Sequence, residues 1–568
     1  MSTVEDRKML ITDYLEKNAE TWPEDGALVE LNYLVKTKNP LEWRQQSWNK
    51  AEPLEPFRRE ITWEVFNEKA NRIANFLISR GVGKGDHVAL IMKNCLEWMP
   101  LYFGILKTGA VAVMLSYRFQ GEMILNCVEL ADVNVFLFGP EIVDRIEEIK
   151  ERLFDRRMGF FIGVNCPAYS HVPCPEYVEN IILESDNCSS RNPAVDIQES
   201  DPAAVYFSSG TTGDPKAVLL SHASLVFSAQ VEQAHHYQTK DDCFLCIPPF
   251  YHEGATIHWF GSLITGSRAV LLKGIKPDMI LEAVSREKCT IAWLLVPWAQ
   301  DILDALDRQS IRLSDYPNLK QWRLMHIGAQ PVPIATIRRW KEYFPEQQYE
   351  TSYGLSESGG PGCVHTGIGN ECEAGAIGIP GYGWECRVVD SERREVPVNT
   401  TGELAVRGPG VMMRYYKNPE ATREVLTEDG WLYTGDMVVK KDDGQLYIVD
   451  RKKDVIISGG ENIYPVPIED FIHNFEPVRD VAIIGFPHDR LGEVPGAIIQ
   501  LKEGYSCTKE DVRAYCGQLP RYERPVQIFF GDVPRGSTGK IKKQELRRKY
   551  GVENTVCSTQ QGDGRMKL

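Results

Sequence analysis

Short runs of Val, Ile and Leu that alternate with longer amphipathic stretches constrain the fold of this chain more than any other feature. The helix-like segment WEVFNEKANRIANFLISR leads to the run VALIM, and a second helical stretch from Trp98 to Thr108 leads to AVAVML. Further apolar runs lie at 132–138 and 160–164. Buried parallel strands joined by crossover helices have this pattern. We therefore expect an α/β fold with one doubly wound subdomain here and a second from about Ala203 to Gly354.

The pattern changes beyond about residue 373. Up to residue 447, short strands alternate with Gly, Pro and Asn turns, as in IGIPGYG and GELAVRGPG, which favours a small antiparallel β-barrel. After Arg451 the chain has the strand VIIS, a Gly-Gly turn, the Pro-led helix PVPIEDFIHNF and two more strands. Thr508 and Asp511 then fit the start of a further helix, with a side-chain cap and a carboxylate in its first turn. This last part is long enough to have its own core. Near the other end, the polar stretch between Leu31 and Ile61 is interpreted as a surface excursion that joins two strands of an edge hairpin.

Composition excludes several classes of protein. The 568 residues are 43% hydrophobic and 25% charged, and the longest apolar stretches, such as Ile291 to Trp298, are far shorter than a membrane span. The amino terminus has no signal-peptide pattern. Because the net charge is −15, the chain as a whole does not attract nucleic acid. We expect a cytoplasmic protein without a nucleic-acid partner and without integral membrane association.

The cysteines indicate neither a disulfide framework nor a metal site. The 14 cysteines are scattered along the chain, as in a reduced cytosolic protein. The one close pair, Cys243-x-x-Cys246, lies in an apolar run where residues three apart on a strand face opposite sides. We interpret the pair as buried structural thiols.

A glycine- and hydroxyl-rich stretch from Tyr206 to Lys216 (YFSSGTTGDPK) carries the first chemical signal. Its glycines allow backbone amides to turn toward a phosphate, and its hydroxyls and lysine supply further donors. A P-loop has four residues between its glycines, whereas two separate Gly210 from Gly213, so a Walker motif is excluded. Taken alone, the stretch also fits a mobile surface turn before the helix beyond Ser221.

Four further segments have residue types that suit a nucleotide site, although each alone also fits a plain turn or a solvated surface. Tyr353-Gly-Leu-Ser-Glu357 combines a ring, a hydroxyl and a carboxylate for a base, a phosphate and a magnesium ion. In Tyr433-Thr-Gly-Asp436, a carboxylate after a glycine turn suits two ribose hydroxyls. The charged run 450–454 (DRKKD) and the glycine loop PRGSTGK, which ends at Lys540, complete the set.

In this order and at these separations, the five segments resemble the AMP-forming acyl-CoA synthetase family of adenylating enzymes. The resemblance covers nearly the whole chain and extends to LKTGA at 106–110, Tyr251-His252 and GAQP at 328–331. It implies a large N-terminal domain, residues 1–449, made of two doubly wound α/β subdomains and the small β-barrel. It also implies a hinge at 450–454 and a small mobile α+β C-terminal domain, residues 455–568, that reorients between two half-reactions.

The resemblance further implies a role for each matching residue. The ATP and AMP site is expected to comprise Ser208, Ser209, Gly210, Thr211, Thr212, Gly213, Lys216, Gly328, Ala329, Tyr353, Gly354, Ser356, Asp436 and Arg451. Catalytic roles fall to Lys540, to Glu357 as the Mg²⁺ ligand, and to His252. Lys453 matches the hinge position, Gly459 and Gly460 match the turn beside the coenzyme A channel, and Tyr251, Trp259, Val296 and Gly359 are expected to line the acid pocket.

The chemistry of carboxylate activation agrees with these roles. A carboxylate is a poor acylating agent until attack on the α-phosphorus of ATP turns one oxygen into part of a good leaving group, AMP. Because two anions must meet, magnesium and a lysine charge should dominate the lowering of the barrier. A lysine held over the phosphate would then obstruct the attacking thiol, which explains the need for a moving domain.

The sequence thus predicts an ATP-dependent ligase that joins a fatty, aryl or alicyclic acid to coenzyme A through an acyl-adenylate. The acid, ATP, Mg²⁺ and coenzyme A are its expected partners, and a homodimer is an open possibility. The alternative enzyme is a stand-alone adenylation protein that loads an acyl group onto a carrier-protein thiol. A nucleotide-binding scaffold without catalysis is the alternative from another class.

Overall fold

The structure is a computed structural model, and it describes residues 9–33, 57–163, 172–209, 215–329, 332–369, 376–459, 461–536 and 540–551. The elements up to residue 209 are α1 (Ile11–Thr21), β1 (Gly26–Asn32), β2 (Arg58–Thr62), α2 (Trp63–Ser79), β3 (His87–Ile91), α3 (Trp98–Lys107), β4 (Val111–Met114), α4 (Gly121–Leu130), β5 (Val135–Phe138), α5 (Val143–Phe154), β6 (Met158–Phe161), β7 (Glu179–Asn180), α6 (Ile181–Ser185) and β8 (Pro202–Ser209). They follow the alternation of apolar runs and amphipathic stretches in the sequence.

The second stretch contains β9 (Pro215–Ser221), α7 (His222–His236), β10 (Cys243–Cys246), α8 (Glu253–Thr265), β11 (Arg268–Lys273), α9 (Pro277–Glu287), β12 (Ile291–Leu295), α10 (Val296–Asp307), β13 (Leu324–Gly328), α11 (Ile334–Tyr343) and β14 (Gln348–Glu350). The antiparallel region contains β15 (Ser352–Leu355), β16 (Gly360–His365), β17 (Ala376–Pro380), β18 (Glu385–Val389), β19 (Thr401–Arg407), β20 (Arg414–Tyr415), α12 (Pro419–Val425), β21 (Leu432–Lys440) and β22 (Leu446–Arg451). Last come β23 (Ile456–Ser458), β24 (Glu461–Ile463), α13 (Pro465–His473), β25 (Val478–His488), β26 (Gly492–Leu501), α14 (Lys509–Tyr515), β27 (Gln527–Phe530) and α15 (Lys543–Lys549).

Two large sheets form the body of the molecule. One has the strand order β14-β13-β12-β10-β11-β1-β2, and the other has the order β20-β9-β8-β4-β3-β5-β6-β7. Most neighbouring pairs are parallel; the antiparallel ones are β1/β2 in the first sheet and β8/β9 and β9/β20 in the second. The order reverses direction along the chain, as in doubly wound folds. The predicted pair of α/β subdomains is confirmed, but the predicted boundary near Ala203 is wrong, because β8 and β9 pair into the sheet of β3–β7 and the β1/β2 hairpin belongs to the other sheet.

A layer of helices lies between the two sheets. Helices α1, α2, α3, α7 and α8 contribute buried side chains to one core that also receives side chains from both sheets. A second core covers the outer face of the first sheet under α9, α10 and α11, and a third covers the outer face of the second sheet under α4 and α5. Each sheet is therefore buried on both faces, which explains its nearly continuous Val, Ile and Leu runs.

The predicted edge hairpin is confirmed. Strands β1 and β2 pair antiparallel at the end of the first sheet, and β2 is its edge strand. Residues 34–56, which include most of the polar excursion between them, lie outside the described residues. Helix α2 begins directly after β2, with the Thr62 side chain accepting a hydrogen bond from the backbone N–H of Val65 as an N-cap.

A third sheet, entirely antiparallel, lies in the region where the sequence predicts a small β-barrel. Its seven strands have the order β15-β16-β17-β22-β21-β19-β18. The unit starts earlier than residue 373, because β15 and β16 join it. Since β15 carries Tyr353 and β21 carries Asp436, this sheet brings two of the predicted nucleotide residues toward each other.

Beyond Arg451 the chain forms a small α+β unit with a five-stranded sheet of its own, composed of β23, β24, β25, β26 and β27. Helix α14 begins at the expected N-cap, where Thr508 and Asp511 form a reciprocal capping box. Polar side chains link this unit to α10: the Arg479 guanidinium lies 3.1 Å from Asp301, and Arg308 lies 3.5 Å from Glu503. Among the described residues, no helix has the length and apolar character needed to cross a bilayer.

Candidate active site

The predicted phosphate-binding loop connects two paired strands. Strands β8 and β9 form an antiparallel hairpin in which Ser208 stands opposite Lys216 and Ser209 opposite Pro215. The loop residues between them, including Gly210, Thr211, Thr212 and Gly213, lie outside the described residues. Because the hairpin brings its two ends together, the Ser208 hydroxyl and the Lys216 ammonium group stand at the base of the same loop.

Glu357 lies beside this loop. It is in the single 3₁₀ turn that begins at Ser356, and its Oε1 accepts hydrogen bonds from Ser208 Oγ at 2.7 Å and from the Tyr415 hydroxyl at 2.9 Å. The Lys216 Nζ lies 4.6 Å from the centre of the Tyr415 ring, within reach of a cation–π interaction. The carboxylate is thus held in place next to the phosphate loop by hydroxyl donors from two other elements.

Tyr415 is a site residue that the sequence analysis missed. It lies on the two-residue strand β20, which pairs with β9 at Val218 and so places the ring over the loop. Burial and the nearby Glu357 carboxylate raise the pKa of Tyr415, so its hydroxyl remains a donor across the physiological range. No local sequence motif marks this residue, because its position depends on the pairing of strands almost 200 residues apart.

The predicted ribose-binding residues form a second group. The Tyr353 hydroxyl donates a 2.5 Å hydrogen bond to Asp436 Oδ2, and the Arg451 Nε lies 3.2 Å from Asp436 Oδ1. Asp436 on β21 and Arg451 on β22 are directly opposite each other in the antiparallel pair, the arrangement in which cross-strand side chains interact. Asp436 is 3% exposed, and its carboxylate is held by a hydroxyl and a guanidinium group.

Lys540, from the C-terminal unit, lies within electrostatic range of these carboxylates of the large domain. Its side chain is accessible to water, yet the protein that surrounds it on several sides still desolvates it. This desolvation, with the positive charges of Arg451 and Lys453, lowers the pKa of Lys540 to about 8, while Asp436 and Glu357 act in the opposite direction. Lys540 therefore shares one electrostatic environment with both acidic groups of the cleft.

His252 lies within electrostatic range of the Lys540 charge. Desolvation, followed by the charges of Lys540 and Arg118, lowers the pKa of His252 to about 3. The imidazole is consequently neutral at physiological pH, so its contribution near the reacting groups is that of a neutral hydrogen-bonding ring. Its neighbour Tyr251 is buried, with the ring packed edge-on against Tyr117 at 5.4 Å between centroids.

The segment 450–454 joins the two parts of the cleft. Asp450 accepts a hydrogen bond from the backbone N–H of Val466 at 3.1 Å, and Arg547 of α15 lies 2.8 Å from Asp454. Lys453 is exposed between them, and desolvation and the adjacent Arg451 lower its pKa. The first and last carboxylates of the segment are thus held by the C-terminal unit, while Lys453 projects from the turn.

The expected adenine-pocket residues lie where strands of the first and third sheets end. Strand β13 ends at Gly328, and Ala329 follows with φ of +68°. A left-handed conformation at a non-glycine residue costs about 1 kcal/mol and is concentrated at functional sites. Gly354 lies on β15 at an irregularity in the pairing with β16.

At the coenzyme A turn, the Gly459 N–H donates to the Leu491 carbonyl at 2.7 Å, and Gly460 lies outside the described residues.

Residues predicted for the acid pocket fall in different environments. Gly359 has φ of +70°, and a Cβ there would lie 2.4 Å from the Gly410 carbonyl oxygen, so only glycine fits. Val296, fully buried at the start of α10, contributes to the outer core of the first sheet. Trp259 is 0% exposed and packs on Phe66 and Phe103, each at 5.9 Å between ring centroids.

These contacts correct the expectation for Trp259. The indole is occupied by the packed helical layer between the sheets, because α8 turns this position toward α2 and α3. The preceding residue, His258, points toward β13 instead, with its Nε2 3.0 Å from the Nε2 of His326. The apolar character of Trp259 favoured a pocket position in the sequence, but helical phase decides which side chain faces the strand ends.

Comparison with known proteins gives matches along nearly the whole chain. The family model described as AMP-binding enzyme matches residues 37–416, and the model described as AMP-binding enzyme C-terminal domain matches residues 467–540. The chain is 30% identical over 501 residues to the 2-succinylbenzoate–CoA ligase of Bacillus cytotoxicus, covering 87% of this chain and 95% of that protein.

Two further matches extend this result. The medium-chain fatty-acid–CoA ligase of Escherichia coli is 29% identical over 500 residues, covering 86% of this chain and 85% of that protein. Among solved structures, the anthranilate CoA ligase AuaEII in complex with anthranoyl-AMP superimposes with a TM-score of 0.82 at 23% identity, covering 96% of this chain and 98% of that chain. The latter similarity establishes a shared fold.

Proposed function

Because the chain belongs to the AMP-binding enzyme family, as an AMP-forming acyl-CoA synthetase, we propose that the residues gathered around Glu357, Asp436 and Lys540 are its catalytic cleft. The enzyme is an acid–thiol ligase. It activates a carboxylic acid with ATP to an acyl-adenylate, releases pyrophosphate, and transfers the acyl group to coenzyme A with release of AMP. The observation that carries the assignment of the cleft is that two carboxylates are each held in place by side chains from other elements: Glu357 by two hydroxyl groups, and Asp436 by a hydroxyl and a guanidinium group.

We assign the nucleotide to the two groups described above. Asp436, held by Tyr353 and Arg451, would accept hydrogen bonds from the ribose hydroxyls. Ser208 and Lys216 would contact phosphate oxygens from the base of the loop, together with the loop residues between them. Ala329 and Tyr353 would border the adenine. Each assignment rests on the matching position in the sequence, and the polar residues present donors or acceptors that agree with it.

Glu357 is the proposed ligand of Mg²⁺. The oxygen donors at this point, a carboxylate flanked by the hydroxyl groups of Ser208 and Tyr415, fit the preference of Mg²⁺ for hard oxygen ligands shared with substrate phosphates. When bound, the ion would neutralise phosphate charge and orient the leaving pyrophosphate. The chain's own part is to hold the carboxylate at a fixed position near the loop.

The adenylation step needs positive charge between two anions. The carboxylate oxygen of the acid attacks the α-phosphorus, a new P–O bond forms, and the bond to the β-phosphate oxygen breaks to release pyrophosphate. Lys540, a flexible point charge, would span the attacking carboxylate and the α-phosphate. His252, neutral at physiological pH, would border the reacting carboxylate without adding charge.

The second step requires Lys540 to leave. The coenzyme A thiol attacks the acyl carbonyl, the C–O bond to AMP breaks, and a lysine over the phosphate would block that approach. A change of backbone dihedrals at Lys453 would rotate residues 455–568 and bring the turn at Gly459 and Gly460 toward the cleft. This domain division and these roles are proposals that rest on the matching positions in the sequence.

We propose a fatty, aryl or alicyclic acid as the substrate. The names of similar proteins include an aryl acid and a medium-chain fatty acid, and Tyr251 offers an aromatic face near the cleft. A panel of such acids, with amino acids as a negative set, would be tested by ATP–pyrophosphate exchange. Activity with amino acids alone would contradict the proposed substrate class. A cytoplasmic location and a homodimer stay predictions.

Coenzyme A as the acceptor is tested by turnover of pyrophosphate release. Multiple turnovers should require coenzyme A, whereas a single turnover without it would leave the acyl-adenylate bound. Lys540→Ala should slow adenylation about a hundred-fold and slow thioester formation from supplied acyl-adenylate much less, while Lys549→Ala on α15 is the matched control. Turnover that needs a carrier protein and ignores coenzyme A would favour the alternative enzyme.

A further inference from the structure

A group of buried histidines lies behind the cleft, where α7 and α8 meet the first sheet. His236 ends α7, His258 lies in the middle of α8, and His326 lies on β13, two residues before Gly328. Each offers one ring nitrogen within 4.8 Å of the other two, and their side chains are 0%, 0% and 2% exposed. Three imidazoles converge here from three elements in the interior, where each polar group needs a partner because burial of an unpaired polar group is costly.

Hydrogen bonds outside the group fix the protonation of two of these rings. The Nδ1 of His258 lies 2.6 Å from the carbonyl oxygen of Gly254, which only accepts, so this nitrogen carries the proton. The Nδ1 of His326 makes a short contact with the Glu350 carboxylate and is likewise the protonated nitrogen. The Nε2 of His236 lies 3.1 Å from the same carboxylate and 3.1 Å from the His326 Nδ1, so without a metal this nitrogen donates to Glu350. In the rings of His258 and His326, Nε2 is then the nitrogen that can offer a lone pair to a cation.

The two Nε2 atoms face each other at 3.0 Å. Lone pairs pointing at each other over this distance repel unless a cation lies between them. Behind each imidazole, the Nδ1–H donates to a backbone carbonyl or to a carboxylate. The same arrangement orients metal-bound histidines in proteins. The geometry of His258 and His326 is therefore that of two ligands prepared for one positive centre.

A buried carboxylate supplies the fourth candidate ligand. Glu232 is 1% exposed, and its Oε2 has no hydrogen-bond partner. This oxygen lies 3.6 Å from the Nε2 of His236 and 3.6 Å from the Nε2 of His258. That separation is too long for a hydrogen bond, but ligands about 2.0–2.2 Å from a tetrahedral zinc are about 3.3–3.6 Å apart. The two facing Nε2 atoms, now 3.0 Å apart, would have to separate by a few tenths of an ångström to fit the same tetrahedron.

We propose that His236, His258, His326 and Glu232 bind one Zn²⁺ ion. Three imidazoles and one carboxylate suit zinc, and four protein ligands in a buried position describe a closed, structural site rather than a catalytic one. On metal binding the His236 Nε2 would lose its proton and exchange its contact with Glu350 for the ion, and Glu350 would remain in the outer shell as the partner of the His326 Nδ1–H. This site does not share its ligands with the proposed Mg²⁺ position at Glu357.

The zinc ion would tie the helical layer to the strand that carries the adenine-pocket residues. Helices α7 and α8 would be joined to β13 directly before Gly328 and the left-handed Ala329. The ring of His258 also stacks on Trp293 of the neighbouring strand β12, at 4.1 Å between centroids and 13° between planes. A fixed β13 end would in turn hold Ala329 in its strained conformation.

Metal analysis of the full-length protein tests the proposal. The chain would be purified without a histidine tag or chelator from cells grown with added zinc, dialysed against metal-free buffer, and examined by inductively coupled plasma mass spectrometry. We expect about one zinc per wild-type chain and less than about a tenth in His258→Gln and in His326→Gln. His87→Gln is the matched control, because His87 is also buried and hydrogen-bonds a backbone carbonyl, that of Ala131; it should retain the full amount.

Cobalt substitution gives a second readout that does not depend on catalysis. Wild-type protein reconstituted with Co²⁺ should show the visible absorption of tetrahedral coordination, and the two histidine variants should lack it. Wild-type protein with no zinc above background would overturn the proposal, since the histidines would then share protons only. Equal zinc in wild type and in His258→Gln would overturn it as well, because the bound metal would lie elsewhere.

Discussion

Raising the pH through the titration of Lys540 should suppress the adenylation half-reaction. Lys540 acts as a cation in the proposed mechanism, and its pKa of about 8 places the loss of that charge within an accessible range. The group is protonated below its pKa and neutral above it, so activity is present on the acid side and lost as the pH rises. For a single group with this pKa, the protonated fraction falls from about 0.9 at pH 7 to about 0.1 at pH 9.

The expected effect is a fall of about tenfold in kcat/KM, because that constant reports the ionisation of the free enzyme. The assay is ATP–pyrophosphate exchange at subsaturating ATP, from pH 7 to pH 9. Lys540→Arg keeps its charge throughout this range, so its slower exchange should be nearly independent of pH, whereas Lys549→Arg should follow the wild-type curve. A wild-type profile that stays flat, or a Lys540→Arg profile that falls in parallel with the wild type, would refute the role given to the Lys540 charge.

Three more predictions follow from the same geometry. Lys453→Pro fixes φ at the proposed hinge, so it should slow thioester formation from supplied acyl-adenylate more than ATP–pyrophosphate exchange; the opposite order would remove Lys453 from that role. Gly359→Ala places a Cβ 2.4 Å from a backbone oxygen, whereas Gly444→Ala, at a similar positive φ, meets nothing within 4 Å. Chemical denaturation should show that Gly444→Ala lowers the free energy of unfolding by about 1 kcal/mol and Gly359→Ala by clearly more. Equal losses would contradict the close approach at Gly359. Arg479→Ala breaks an exposed ion pair with Asp301, so adenylation should fall by no more than about fivefold, and a loss near a hundred-fold would show that this contact governs closure.

The parts of the fold that depend on local pattern could be predicted from the sequence. The runs of Val, Ile and Leu placed the parallel strands, and the spacing from Trp63 onward placed α2. The start of α14 at Thr508 followed from a capping pattern of four residues. In each case the deciding interaction lies within a few residues along the chain, so the sequence alone contains it.

Features that depend on strand order could not be predicted in this way. Tyr415 reaches Glu357 only because β20 pairs with β9. The three histidines at 236, 258 and 326 meet only because α7 and α8 pack against each other and β13 lies in the neighbouring sheet. Two cysteines at close spacing form a motif that can be considered and rejected from the sequence, whereas three histidines far apart along the chain form no motif.

The charges around Lys540 and the exposed ion pairs of the C-terminal unit also indicate what would hold this unit in place and what would release it. The ion pairs that link this unit to α10, Arg479 with Asp301 and Arg308 with Glu503, are exposed, and pairs of this kind contribute about 1 kcal/mol or less each. Lys540 itself stands among two other positive groups, Arg451 and Lys453, whose repulsion opposes its position. Bound phosphates would offset that repulsion. The departure of pyrophosphate would then remove part of the attraction that keeps Lys540 in the cleft, so the progress of the reaction itself would favour rotation at the hinge.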